Sequence, residues 1–282
     1  MAGMSSRPKY NVTVPTAYGT MIVNRNDWAE WEGERFGVGW DLMESGCYAQ
    51  GELDQIKTLV GHCPPDPVLL DIGANIGVHS LFFAGLAGPR GRVYAFEAQR
   101  VLFQMLMGNL ALNSIENVYA RQAAVGAGGG ELHLPHIDYA RPRNFGGMQL
   151  KRAVNQLHPE AGQAAGQAEA HLAELPEAVS VIAIDSLKLE RVDFIKADVE
   201  GMELDVLQGA LATIERCRPL IQVEWLGRDG GALPHHLIDV LGYRVAQSGM
   251  NLMCIPVERT DIEIIESMEI SLPALRAAFP SA

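Results

Sequence analysis

The chain has 282 residues, 48% of them hydrophobic, and a formal net charge of −12 at pH 7. That length suits one large α/β domain with an extension, and the apolar content supports a sizeable core and excludes wholesale disorder. An acidic chain with scattered Lys and Arg residues lacks the positive surface that neutralises phosphates, so nucleic acid is not an expected partner.

The first residues, MAGMSSRPKYNVTVP, contain no apolar signal core. No uninterrupted apolar stretch approaches the roughly 18 residues of a spanning helix. A cytoplasmic protein without a membrane span is the expectation. Cys47, Cys63, Cys217 and Cys254 stand far apart with no C-x-x-C pair, which argues against a zinc knuckle or a redox motif.

In chain order, residues 10–60 mix short extended pieces (NVTVP, GTMIV) with an aromatic, charged section whose last part reads as an amphipathic helix. Trp28, Trp31, Phe36, Trp40 and Tyr48 are expected to pack a domain edge, with a pocket lining or a dimer contact as the alternatives. From Pro67, strand and helix alternate: PVLLDIG, VHSLFFAGLA, RVYAFE, VLFQMLMGNLALN, NVYARQAAV. Short, continuously apolar strands between helices predict a parallel sheet covered on both faces, doubly wound and Rossmann-like.

After Val125, AGGGELHLP reads as an extra hairpin strand, and residues 138–178 as a surface insertion rich in Ala, Gln, Gly and Glu. The alternation resumes with VSVIAI and VDFIKAD, a helix bearing Leu204, Leu207, Leu211 and Ile214 on one face, PLIQVEW, HHLIDVLG, and a closing hairpin, YRVAQ with LMCIPV. The expected organisation is an extension or cap at 1–62, one domain at 63–258 with its insertion, and a tail at 259–282.

The segment VLLDIGANIGVHS places Asp71, Gly73, Ala74, Asn75 and Gly77 at a strand-to-helix junction, where an α/β sheet receives ligands. The dinucleotide fingerprint fails here, because Asn75 and Val78 stand where its second and third glycines belong. An acid on the first strand followed by G-x-x-x-G suits an amino-acid tail, its ammonium near Asp71 and its carboxylate on turn and helix N–H groups. The second strand ends in Glu97, placed to accept hydrogen bonds from both hydroxyls of a ribose. Ribose plus amino-acid tail describes S-adenosyl-L-methionine.

Three blocks, DIGANIGVHSLFFA, YAFEAQRVLFQMLMGNLALN and VDFIKADVEGMELDVLQGALATIERCRPLIQVEW, make the chain resemble the FkbM family of S-adenosylmethionine-dependent methyltransferases over roughly residues 46–256. The resemblance implies a class I methyltransferase fold, a mostly parallel seven-stranded sheet with an antiparallel last strand. It also implies O-methylation of a sugar or other secondary-metabolite hydroxyl. By position it assigns Asp71, Gly73, Ala74, Asn75 and Gly77 to the methionine-end loop, and Glu97 with Ala98 to the ribose. Ala98 replaces the family's usual Pro. Gln122-Ala123-Ala124 supplies no acid for the adenine amino group.

At the reacting end, KADVEG brings Asp198 and Glu200 to a strand tip, and QVEW adds Glu224. Such carboxylates can serve as a base, and Asp198 with Glu224 are candidate ligands for a divalent ion such as Mg2+. Glu203 is read either as part of this cluster or as a helix-dipole partner. His136 and Asn144, with Gly146 and Gly147, are candidate substrate contacts, and Asn251 faces either the pocket or a turn. A small-molecule or glycan acceptor is the expected partner, and a homo-oligomer is a further expectation. An NAD-dependent oxidoreductase, a non-catalytic S-adenosylmethionine-binding protein and N-methylation remain the competing functions.

Overall fold

A computed structural model describes residues 9–147, 177–264 and 269–279. Most of the expected insertion lies outside these described residues. The chain opens with a hairpin, β1 (Asn11–Thr16) and β2 (Gly19–Asn24), then a short ribbon, β3 (Ala29–Trp31) and β4 (Glu34–Phe36). Helices α1 (Val38–Ser45) and α2 (Gln50–Val60) follow. The amphipathic pattern anticipates α2, which buries Leu53, Ile56, Leu59 and Val60 on one stripe. It does not anticipate α1, a helix of two turns between Gly37 and Gly46.

The predicted alternation then appears: β5 (Val68–Ile72), α3 (Val78–Ala87), β6 (Arg92–Glu97), α4 (Arg100–Leu112) and β7 (Val118–Gln122). Beyond Gln122 the chain leaves the main sheet. β8 (Ala124–Val125), β9 (Gly130–Leu134) and β10 (Glu177–Ile182) form a separate three-stranded sheet with β10 in the middle. The expected strand VSVIAI therefore forms, but outside the main sheet, and NVYARQAAV is split in two.

The main sheet resumes with β11 (Phe194–Ala197), followed by α5 (Glu203–Gly209), α6 (Leu211–Cys217) and β12 (Leu220–Glu224). Helix α7 (Ala232–His235) runs on into a π-helical turn, His236–Val240. The hairpin β13 (Tyr243–Ser248) and β14 (Asn251–Pro256), then β15 (Glu269–Ile270) and α8 (Leu272–Ala278), complete the described chain. The strand order is β15-β13-β14-β12-β11-β5-β6-β7. β5, β6, β7, β11 and β12 are parallel, and β14 is antiparallel to β12, inserted between it and β13. The seven expected strands are present; β15, from the segment expected as a tail, adds an eighth at the edge.

Burial explains why the central strands read as continuous apolar runs. Along β11, Phe194 belongs to the core on one face and Ile195 and Ala197 to the core on the other. Leu69 and Leu70 of β5, and Leu220 and Ile221 of β12, divide in the same way. Both faces are dry, so the period-two signal disappears. The N-terminal hairpin joins one of these cores: Met21 and Val23 are fully buried, each contributing about 1.5–3 kcal/mol. Its seam with α4 is fixed by Asn109, whose side-chain amide donates to the carbonyls of Ile22 (3.2 Å) and Ile76 (2.8 Å). Among the described residues no helix is long and apolar enough to cross a membrane.

Candidate active site

The carboxyl ends of β5, β6, β11 and β12 open into one cavity of about 540 Å³, walled on the far side by Phe36, Val38 and Asp41 near α1, by Tyr48 and Glu52, and by Asn144, Gly146 and Gly147. Asp27 ties two of these walls together. Its carboxylate accepts from the amide of Gly39 (3.0 Å) and from that of Phe145 (3.0 Å), and burial pushes its pKa up to about 6.

The glycine-rich turn is built differently from its sequence-level reading. The amides of Gly73 and Ala74 donate to Phe96 O, that of Asn75 to Glu97 Oε2, that of Ile76 to Asn75 Oδ1 and that of Gly77 to Ala74 O. All five turn N–H groups are thus spent inside the protein, and none is left to hold a carboxylate. The glycines are needed for close approach. Gly73 has φ +81°, and a Cβ there would lie 1.8 Å from Asp198 O; Gly77 has φ +96°, and its Cβ would meet the Leu106 side chain. Asn75 occupies the left-handed region (φ 52°), which Asn tolerates better than most residues.

Asp71 is corrected in the same way. It is fully buried and does not line the cavity. One oxygen accepts from Ser80 Oγ, and the other lies 3.8 Å from Lys196 Nζ, its register partner on β11. The ammonium of Lys196 fills the space between Asp71 and the ligand side. It donates to Gly73 O (3.3 Å) and lies 3.4 Å from Asp198 Oδ2. Burial alone would lower the Lys196 pKa, but Asp198, Asp71 and Glu52 outweigh it and raise it, so the group stays charged.

What remains for the amino-acid tail is the N-terminus of α3. Val78 and His79 line the cavity, and no side chain caps this helix. Its positive end attracts a carboxylate. Glu97 also lines the cavity, with its Oε2 fixed by Asn75 N (2.8 Å) and its Oε1 by Gln99 N (2.7 Å). Both oxygens retain lone pairs for a diol. Burial pushes its pKa up to about 7 against those two N–H groups and Lys196. The Gln99 bond secures the turn at Ala98 without the family's proline. Beside Glu97, Phe96, Ala98, Leu102, Ala123, Ala124 and Val125 form an apolar slot of a kind that accepts an adenine ring. A carboxylate fixed for a diol, an apolar slot and an uncapped helix end fit S-adenosylmethionine.

At the other end of the cavity, Asp198, Glu200 and Glu224 offer ligand atoms all within 4.8 Å of one another. Burial first, then the neighbouring carboxylates, push the Glu200 pKa up to about 7, and the same causes raise that of Glu224. Glu200 is held in the left-handed region (φ 53°), a local strain of about 1–3 kcal/mol. Glu203 stands apart from this trio: its Oε1 accepts from Val199 N (3.1 Å) and Gly201 N (3.0 Å), fixing the turn that carries them. Asn251, opposite Glu224 in register, and Arg228 complete this wall.

Asn144 lines the cavity, and the side chain of Gln99 holds its segment through Phe145 O (2.9 Å). His136 does not reach it. Leu134 and Ile137 on either side face the core, which turns His136 outward to a separate cleft with Arg100 and Asp138. Of the aromatic N-terminal residues, Phe36 and Tyr48 line the cavity, Trp28 and Trp40 both contact the Arg35 guanidinium, and Trp31 is exposed. Sequence reasoning missed Glu52. One oxygen of Glu52 accepts from Gln222 Nε2 (2.7 Å) and pairs with His79 Nε2 (3.1 Å). Burial opposes ionisation of Glu52, but His79, Lys196 and Gln222 together lower its pKa to about 2.

A doubly wound, mostly parallel sheet whose reversed strands are β14 and β15, with a cavity at the strand tips and a buried acid at the second of them, has the architecture expected of a class I S-adenosylmethionine-dependent methyltransferase. The chain belongs to the Methyltransferase FkbM domain family, which matches residues 71–245. It is 32% identical over 167 residues to methyltransferase sdnD of Sordaria araneosa, covering 53% of this chain and 62% of that one. It is 31% identical over 194 residues to the AMB antimetabolite synthetase AmbE of Pseudomonas aeruginosa, covering 59% of this chain and 9% of that one. The chain thus spans less than two thirds of either relative. The crystal structure of methyltransferase FkbM from Methylobacillus flagellatus KT aligns with a TM-score of 0.45 and 17% identity, over 68% of this chain and 44% of that chain.

Proposed function

We propose that this protein transfers the methyl group to a hydroxyl oxygen of a small molecule, a glycan or natural product. The observation that carries the reading is the carboxylate trio Asp198, Glu200 and Glu224, set beside the tip of β5 at the reacting end of the cavity. A hydroxyl acceptor must lose its proton as its oxygen attacks, and a carboxylate placed beside that oxygen can receive it. One relative, AmbE, is named an antimetabolite synthetase, which supports a natural-product acceptor.

S-adenosylmethionine supplies an electrophilic methyl group on a sulfonium. The protein orients this donor through Glu97 and the α3 terminus. Asp198 takes the acceptor proton as the new carbon–oxygen bond forms and the carbon–sulfur bond breaks, leaving S-adenosylhomocysteine and a methyl ether. Lys196 holds Asp198 in place and offsets part of the negative charge around it. The same trio is an all-oxygen donor set, suited to a hard divalent ion such as Mg2+, which would polarise the acceptor oxygen.

The test is incubation with S-adenosylmethionine and a panel of glycosides and hydroxylated natural products, read by mass spectrometry. A product heavier by one methylene whose methyl is released only by ether cleavage supports the reading; methylation confined to amines contradicts it. Asp198→Asn is expected to lower kcat by about a hundredfold or more while S-adenosylhomocysteine still binds.

A further inference from the structure

Tyr48 precedes the family-matched segment, yet its side chain lines the same cavity. Its backbone is held from both sides by one hydroxyl: Tyr18 Oη donates to Tyr48 O (2.8 Å) and accepts from Tyr48 N (3.1 Å). The next residue, Ala49, sits in the left-handed region at φ 50°, unusual for an alanine, and only then does α2 begin. Two hydrogen bonds and a strained link thus fix one side chain over the strand tips, an arrangement typical of functional positions.

The Tyr48 hydroxyl itself makes no hydrogen bond to protein among the described residues, although it lies within the electrostatic reach of Asp198, Glu52 and Lys196. Those three groups bracket the reacting end, since Lys196 contacts both the Gly73 carbonyl just after β5 and Asp198 after β11. The Tyr48 side chain is half-buried at the cavity wall, so its hydroxyl is open to a ligand, while Lys196, Asp198 and Glu52 near it each have a partner of their own. Burial, followed by the charges of Asp198 and Glu52, raises its pKa far above that of an ordinary phenol, so the hydroxyl keeps its proton to donate.

Resting on the hydroxyl-methylation reading, we propose that Tyr48 is an acceptor-site residue whose hydroxyl donates a hydrogen bond to the oxygen that receives the methyl group. Asp198 takes the proton from that oxygen, and Tyr48 holds the attacking lone pair in line with the sulfonium methyl. The N-terminal segment therefore contributes a positioning group to the reaction in addition to a wall.

The proposal is testable before any acceptor is known. Sinefungin carries an amine-bearing carbon where the donor carries its methyl sulfonium, so its nitrogen projects toward the acceptor position. Affinities for sinefungin and S-adenosylhomocysteine are measured by titration calorimetry for wild type and Tyr48→Phe. The expected result is sinefungin binding weakened by about tenfold with S-adenosylhomocysteine binding within about twofold of wild type. An unchanged ratio of the two affinities, whether both fall together or neither moves, overturns the proposal. Failure of the wild type to bind either compound removes the methyltransferase reading and this proposal together; an unchanged ratio with intact S-adenosylhomocysteine binding removes this proposal alone.

Discussion

Gly73 and Asp198 approach so closely that a side chain on the first would overlap the backbone of the second: a Cβ on Gly73 would lie 1.8 Å from Asp198 O. The contact joins the tip of β5, on the donor side of the proposed reaction, to the segment after β11, on its acceptor side. Two strand ends that line one cavity are held together by the lack of a methyl group. Gly73→Ala must therefore push the tips apart and also strain a positive φ. A loss of about 2–4 kcal/mol in urea unfolding is expected, with weakened S-adenosylhomocysteine binding. A variant as stable as wild type would contradict this contact.

Asp71 and Lys196 form a buried pair with one oxygen that lacks a hydrogen bond, Asp71 Oδ1. Removing one partner of a buried pair leaves the other charge poorly compensated, at a cost of about 3–5 kcal/mol. Asp198 still faces Lys196 after Asp71→Asn, so the expected loss is near the lower end, about 3 kcal/mol by urea unfolding. If Asp71 instead contacted the donor's ammonium, Asp71→Asn would spare stability and lose binding.

Glu97, with its pKa pushed up to about 7 by burial, gives binding a pH dependence. The unfolded chain ionises this carboxyl in the ordinary range, so the folded form holds the extra proton between that range and about 7. Folding stability accordingly falls as pH rises through that window. Binding has the opposite sign, because only the ionised group accepts from both ribose hydroxyls. Affinity for S-adenosylhomocysteine is expected to rise from about pH 6 to about pH 8, with proton release on binding at the lower pH. Calorimetry in buffers of different ionisation enthalpy reads this directly, and Glu97→Gln should flatten the profile.

The trio Asp198, Glu200 and Glu224 repels itself, and a bound cation would relieve that repulsion. Millimolar Mg2+ is expected to raise the thermal midpoint of wild type beyond the effect of NaCl at equal ionic strength, by mass action on the folded state. Glu200→Gln should abolish the difference, and EDTA should reverse it. Equal midpoints in Mg2+ and NaCl would assign the raised pKa values to protons alone.

Much of the fold is legible in the chain. The runs at 68–72, 92–97 and 220–224 and the helical stripe at 50–60 state their own periodicity, and Glu97 and Asn75 stand where local spacing places them. What escapes is set by distance along the chain. Glu52 meets Gln222 across 170 residues, and no local pattern announces that pair. Asp71 reads as a ligand contact until its neighbour across the sheet, Lys196, is seen to cover it. The amides of Gly73, Ala74 and Asn75 look free in sequence because their partners, Phe96 O and Glu97, belong to the next strand. His136 reads as a substrate contact by its type and place, but the inward demand of Leu134 and Ile137 decides its direction.

The most direct test is a crystal structure with S-adenosylhomocysteine bound. The ribose hydroxyls are expected on Glu97, the carboxylate at the start of α3, and the sulfur facing Asp198 and Tyr48. A ribose that leaves Glu97 without a ligand contact, or a sulfur turned toward the β7 side of the cavity, would contradict the account.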